Sequence, residues 1–140
     1  MKQEVCLGLE RLELLLDQKV KELFEKSVPR YYPHTLQVVA NMKKIMESSP
    51  LDKKVLLTSA YLHDIGYSAP YGKDFVGNIE SQKLKIRLHC ETGANITRSI
   101  LTQMKVEPEI IEKVANLVLV HHQEKPKEDY LKLLIEADKV

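Results

Sequence analysis

Ala60-Tyr61-Leu62-His63-Asp64-Ile65-Gly66 is the stretch on which the reading of this chain turns. The residues leading into it, Val55-Leu56-Leu57 onward to Ile65, are apolar nearly all round at helical spacing, which marks a helix buried on every side and therefore central. Gly66 reads as the C′ residue that stops this helix, with Pro70 shortly after. The most buried helix thus ends on an imidazole beside a carboxylate, two side chains that cost several kcal/mol to bury unpartnered, roughly 2–7 for an uncompensated polar group and more for a charge.

The periodicity on either side is helical as well. Val5, Leu9, Leu12, Leu16, Val20 and Leu23 give an amphipathic first helix within residues 1–28. Val28 to Pro33 forms a rigid turn, and Pro33 suits the first position of a helix reaching about Glu47. Ser49-Pro50-Leu51-Asp52 reads as a capping box that opens the central helix. Residues 67 to about 79 carry Pro70, Gly72, Gly77 and Asn78 with no period, and are expected to form a mobile rim. A helix follows from about Glu80 or His89 to Lys105. Glu107-Pro108 opens another that reaches His121, Gln123 to Glu128 is a polar turn, and Tyr130 to Val140 is the last helix. No strand-period run or repeat occurs. The expected class is all-α, a single domain over 1–140 built as a bundle of about six helices.

Facing arguments then collect ionisable groups on apolar faces. His34 shares its face with Val38, Met42 and Ile45, and His63 with Leu56 and Ala60. Asp64 aligns with Leu57, Ala60 and Tyr61, and His89 with Gly93, Ile96 and Ile100. His121 aligns with Val114, Leu117 and Val118, and Asp138 with Leu131, Leu134 and Ile135. Any one of these is most simply a satisfied core residue. For all six together a shared cation is the more economical explanation, and nitrogen and oxygen donors suit a divalent transition metal, one or two ions of Fe, Mn, Ni, Co or Zn. His122 lies about 100° from His121 on a helix, so His121 is favoured as the inward residue and His122 as a neighbour facing the substrate. Cys90 is turned about 100° from His89 by the same step and is not counted as a ligand.

Composition narrows the function classes. The charge balance of 21 basic against 20 acidic residues, +1, shows no nucleic-acid footprint. Two cysteines, Cys6 and Cys90, without a CxxC, read as reduced thiols, and no apolar run is long enough for a membrane span, so the chain is expected to be soluble and cytoplasmic. The apolar stripe of the first helix is available either to the core or to a second copy in a homodimer.

The ordered set His34, His63-Asp64, His89, His121, Asp138 resembles the HD-domain superfamily of metal-dependent phosphohydrolases. The resemblance lies in Pro33-His34-Thr35-Leu36-Gln37-Val38-Val39-Ala40, in Ala60 to Gly66 and in Glu136-Ala137-Asp138-Lys139, and it covers roughly residues 30–140. The further His89, in His89-Cys90-Glu91-Thr92-Gly93-Ala94, and His121 look like the branch that holds two metals. It implies an HD-type helical bundle in which His34, His63, Asp64 and Asp138 hold one metal, while Asp64 bridges to a second held by His89 and His121. It also implies hydrolysis of a phosphate ester or anhydride, of nucleotide or dinucleotide type, by metal-activated hydroxide, with Asp64 and His63 at the catalytic centre. His122, Arg30 and Lys125 would lie in a second shell or face the phosphorylated substrate, and Lys125, Lys139 or a metal-bound water could serve the leaving oxygen. The chain departs from many relatives in carrying Tyr67 where a lysine follows His-Asp-Ile-Gly, and no Gly-Tyr-Pro follows His121-His122. HD-type di-iron oxygenases resemble the same ligand order, and a non-catalytic, metal-stabilised nucleotide-binding or regulatory module is a third reading.

Overall fold

The structure, a computed structural model, describes residues 8–68, 79–123 and 126–139. Their order is α1 (Leu9–Glu25), α2 (Tyr31–Met46), α3 (Lys53–Leu62), a 3-10 turn (Ile65–Ser68), α4 (Ile79–Gln103), α5 (Pro108–Val120) and α6 (Asp129–Asp138). Among the described residues there is no strand, and the all-α class expected from periodicity holds.

α3 is the hub. Its residues Val55 through Leu62 are all buried, and it packs against α1, α2, α5 and α6. The helix starts later than the Ser49-Pro50 pattern suggests: Asp52 is the N-cap, its side chain accepting from the Lys54 amide at 2.8 Å, while Ser49 Oγ accepts from the Leu51 amide. α2, by contrast, begins earlier than expected, at Tyr31, two residues ahead of Pro33, which sits harmlessly in the first turn. The stripe of α1 is spent on the core, with Leu12, Leu16, Val20 and Phe24 at 0% exposure. Tyr61 donates to Glu13 Oε2 at 2.7 Å, and Lys43 Nζ lies 2.6 Å from the same oxygen, so one carboxylate ties α1 to α3 and α2. Burial opposes the Glu13 charge, but these two partners outweigh it and hold its pKa below the ordinary value.

Gly66 is not the positive-φ helix stop that the sequence suggests, since among the described residues no glycine has positive φ. α3 ends at Leu62, His63 and Asp64 form a turn, and Gly66 lies inside the 3-10 turn against α4. A Cβ on Gly66 would stand 2.1 Å from the His89 carbonyl oxygen, and one on Gly93 would stand 3.3 Å from the Gly66 amide nitrogen. Glycine is needed here for close approach, and that approach sets His89 beside Asp64. The far end of α4 is closed by Lys105 at φ 62°, with the Val106 amide bonded to the Leu101 carbonyl and the Lys105 amide to that of Thr102. α6 is fastened to α2 by Asn41 Nδ2, which donates to the Ala137 carbonyl at 2.9 Å, one residue before Asp138.

Of the expected rim, Tyr67 and Ser68 lie in the 3-10 turn, and residues 69–78 fall outside the described residues.

Candidate metal centre

Five elements converge on Asp64. α2 supplies His34, the turn after α3 supplies His63 and Asp64, α4 supplies His89, the turn after α5 supplies His121, and the end of α6 supplies Asp138. His63 and His89 are fully buried, His121 and Asp64 nearly so, and His34 and Asp138 are the partly exposed members. All six residues singled out from sequence therefore meet at one place.

The two Asp64 oxygens face different ways. Oδ2 lies 3.1 Å from His63 Nε2 and 3.4 Å from His34 Nε2. Asp138 Oδ1 closes that side at 3.2 Å from His34 Nε2 and 3.3 Å from His63 Nε2. Oδ1 of Asp64 lies 3.5 Å from His89 Nε2 and 3.6 Å from His121 Nε2. One donor atom from each of His34, His63, Asp64 and Asp138 falls within 4.8 Å of the others, close enough that the four could hold one ion.

The tautomers decide what this arrangement wants. His63 Nδ1 lies 2.8 Å from the Ala60 carbonyl oxygen and His121 Nδ1 lies 2.6 Å from that of Val118. A carbonyl can only accept, so each Nδ1 carries the proton and donates it. In the neutral ring the Nε2 lone pair then points at carboxylate oxygens, and a lone pair facing an anion repels unless a cation or a proton stands between them. The Nε2 atoms of His63, His89 and His121 are indeed buried without a hydrogen bond of acceptable angle. An imidazole whose second nitrogen donates to a backbone carbonyl is the usual arrangement behind a metal ligand. The donor set fits a divalent cation.

The electrostatics agree. Burial alone would lower the His63 pKa, but the charges of Asp64 and Asp138 outweigh it and raise it to about 10. Burial opposes the Asp64 charge too, yet the surrounding His63, His121 and His89 imidazoles hold its carboxyl far below the ordinary carboxylate range. Asp138 is lowered in the same way, mainly by His63 against its own burial. Burial pushes His89 below the ordinary histidine value, against the opposing pull of Asp64. The two carboxylates thus favour a positive charge at His63, where a cation would serve them equally.

His89 is stacked on one face by a pair of tyrosines. The Tyr67 ring stacks on it at 3.6 Å between centroids and 13° between planes, and Tyr31 stacks on Tyr67 at 4.5 Å. Tyr67 is thus occupied in orienting an imidazole. Tyr32 donates to Asp17 at 2.7 Å instead of facing the centre.

Of the three outer residues, His122 is exposed at the surface, with its ring 4.2 Å from that of His121 and 5.6 Å from that of His89. Desolvation, then the neighbouring His121 and His89 rings, push its pKa down to about 4. Arg30 is exposed, with its guanidinium over the Tyr31 ring at 5.2 Å, and Lys125 lies outside the described residues. Lys139 is exposed and pairs with Glu136 at 3.7 Å.

Cys90, which its position on α4 turns away from His89, nevertheless has other possible donors close by. A donor atom from each of His89, Cys90, His121 and His122 lies within 4.8 Å of the others, a second group that could hold an ion. The 100° step between adjacent helical residues describes Cys90 relative to His89 but says nothing of donors arriving from α5. The nearby His121-His122 pair was the available signal.

With this geometry in place, comparison with known proteins gives the family. Residues 31–140 match the family described as the HD domain. The chain belongs to the HD-domain family. This HD domain is also similar to a CC-adding tRNA nucleotidyltransferase of Thermus thermophilus, 30% identical over 97 residues, which is 69% of the chain and 21% of that protein. The chain therefore spans about a fifth of the length of that relative. No solved structure gives a significant match. Among the described residues no helix is long and apolar enough to cross a membrane.

Proposed function

We propose that this HD domain is a metal-dependent phosphohydrolase that uses water to cleave a phosphate ester or anhydride of nucleotide or dinucleotide type. The observation that carries the reading is the divided carboxylate of Asp64, with one oxygen towards His34 and His63 and the other towards His89 and His121. His34, His63, Asp64 and Asp138 would hold one divalent cation, and Asp64, His89 and His121 a second. When bound, such ions supply Lewis acidity that lowers the pKa of a water and neutralises phosphoryl oxygens.

The chain's own residues supply the rest. Ala60 and Val118, through their carbonyls, fix the tautomers of His63 and His121, and Tyr67 fixes the plane of His89. The core around His63 and His89 excludes bulk water, which strengthens every charge interaction at Asp64. His34 and Asp138, the partly exposed members, leave an approach on their side for a phosphorylated substrate. Similarity to a protein named for adding nucleotides to tRNA supports the nucleotide class.

The test loads the full chain in turn with Mn2+, Fe2+, Co2+, Ni2+ and Zn2+. Phosphate release is followed from nucleotides, dinucleoside polyphosphates and p-nitrophenyl phosphate, with and without oxygen. Release that does not depend on oxygen is expected, with loss of more than about 100-fold in Asp64→Asn, since even an outer partner of a metal ligand is worth 10–100-fold. Oxygen uptake on an organic substrate without phosphate release would instead identify an oxygenase. Metal and nucleotide binding with no turnover would identify a regulatory module.

A further inference from the structure

α4 and the end of α5 bring more donors to the second side of Asp64 than the two imidazoles that face it. α5 ends at Val120, and the turn that follows carries His121 and His122 in succession toward α4. His121 and His122 set their rings nearly edge-on to His89, at 5.4 and 5.6 Å between centroids. Cys90 lies at the same point, 6% exposed and in no disulfide.

A buried thiol alone needs no explanation, because cysteine packs as a small apolar residue. The second observation is the state of its neighbours. His89 is at 0% exposure with no hydrogen bond of acceptable angle at either ring nitrogen, and His121 Nε2 is buried without one as well, both rings having only the Asp64 Oδ1 oxygen near, at 3.5 and 3.6 Å. Leaving such atoms unsatisfied costs about 1–3 kcal/mol each. Cys90 Sγ and a His122 nitrogen each lie within 4.8 Å of a nitrogen of both these rings, so one cation between the four could be shared by all of them. Donors around a tetrahedral ion with bond lengths of about 2.0–2.3 Å stand roughly 3.3–3.6 Å apart, so a contraction of an ångström or so closes the set. A groove of about 420 Å³, lined by Lys83, Arg87, Cys90, Glu91 and His122 among others, opens this side to solvent and gives an ion a route in.

We propose that Cys90 and His122 complete a thiolate-containing metal site with His89 and His121, which selects a borderline-soft cation such as Zn2+ or Co2+ over Mn2+ or Mg2+. Thiolate donors favour the former ions, and carboxylate and water the latter. On ligation the S–H bond is lost, its proton passes to solvent and the sulfur–metal bond takes its place. The proposal shares His89 and His121 with the two-cation reading and adds what decides the identity of the second ion.

The test is a titration of the metal-free full chain with Co2+, followed by absorption. A thiolate-to-cobalt charge-transfer band in the near ultraviolet is expected. Cys90→Ser should lose the band, keep its folded circular dichroism and bind the ion of the His34–Asp138 side unchanged. The preference of the second site for zinc over manganese should fall by about tenfold or more in the same variant, the scale for losing a ligand's support. His122→Ala, a surface change, should weaken the cobalt equivalent that carries the band. Cobalt binding without the band, or a band that survives Cys90→Ser, overturns the proposal and leaves the hydrolase reading intact. Absence of cobalt binding at any stoichiometry sinks both.

Discussion

His63 is enclosed on every side, and its two ring nitrogens have different neighbours: a carbonyl at Nδ1 and two carboxylates at Nε2. Its raised pKa of about 10 means that the metal-free ring is an imidazolium at neutral pH. An ion entering on the His34–Asp138 side must displace that proton. Calorimetric titration with Zn2+ at pH 8, in two buffers of different ionisation enthalpy, should therefore show about one proton released with the first equivalent. The number should fall as pH rises through 10, where the ring is already neutral, and affinity should rise over the same range. A value near zero at pH 8 would mean that His63 is neutral without metal. At this scale much was legible in the sequence. The six residues from His34 to Asp138 are legible because each puts a polar group on an apolar face, and the structure sets His121 against Asp64 while His122 stands exposed beside it. The closeness of Cys90 to His121 and His122 is not legible in the same way, because a facing argument made on one helix cannot see donors that another helix delivers.

The contact between the 3-10 turn and α4 is where an element decides the chemistry. Gly66 and Gly93 remove two Cβ atoms, and the backbone of the turn then lies against the His89 carbonyl. Gly66→Ala puts a methyl group 2.1 Å from that carbonyl oxygen, which neither backbone can accommodate without moving apart. Stability should fall by about 1–3 kcal/mol, the usual cost of overpacking, as measured by denaturant unfolding. The variant should bind the second metal equivalent more weakly than the first, since His89 moves and His34, His63 and Asp138 do not. Unchanged stability would mean that the turn and α4 part freely. Glycine in a sequence signals either positive φ or close approach. Beside Pro70 the first reading was natural, whereas the second depends on an element more than twenty residues away. Helix existence was legible from the 3.6-residue period, but the start of α3 was not, because Ser49 and Asp52 both offer capping side chains and only packing chooses between them.

Across the whole molecule the centre joins residues as far apart as His34 and Asp138, 104 positions along the chain. α1 lies outside the residues that match the family, yet Phe24 reaches from it to Tyr31 at 5.7 Å, and the series continues through Tyr67 to His89. One end of that series is a packing contact on the first helix and the other is a candidate ligand. The chain has no tryptophan and six tyrosines, so its ultraviolet emission is tyrosine emission alone. With Tyr67 stacked on His89 at 3.6 Å, a paramagnetic ion on that imidazole sits within quenching range of the ring. Cobalt or nickel loading should dim the emission, zinc loading should not, and Tyr67→Phe should remove most of the difference. Tyrosine emission would then serve as a label-free optical gauge of occupancy, readable in a cuvette before any substrate is known.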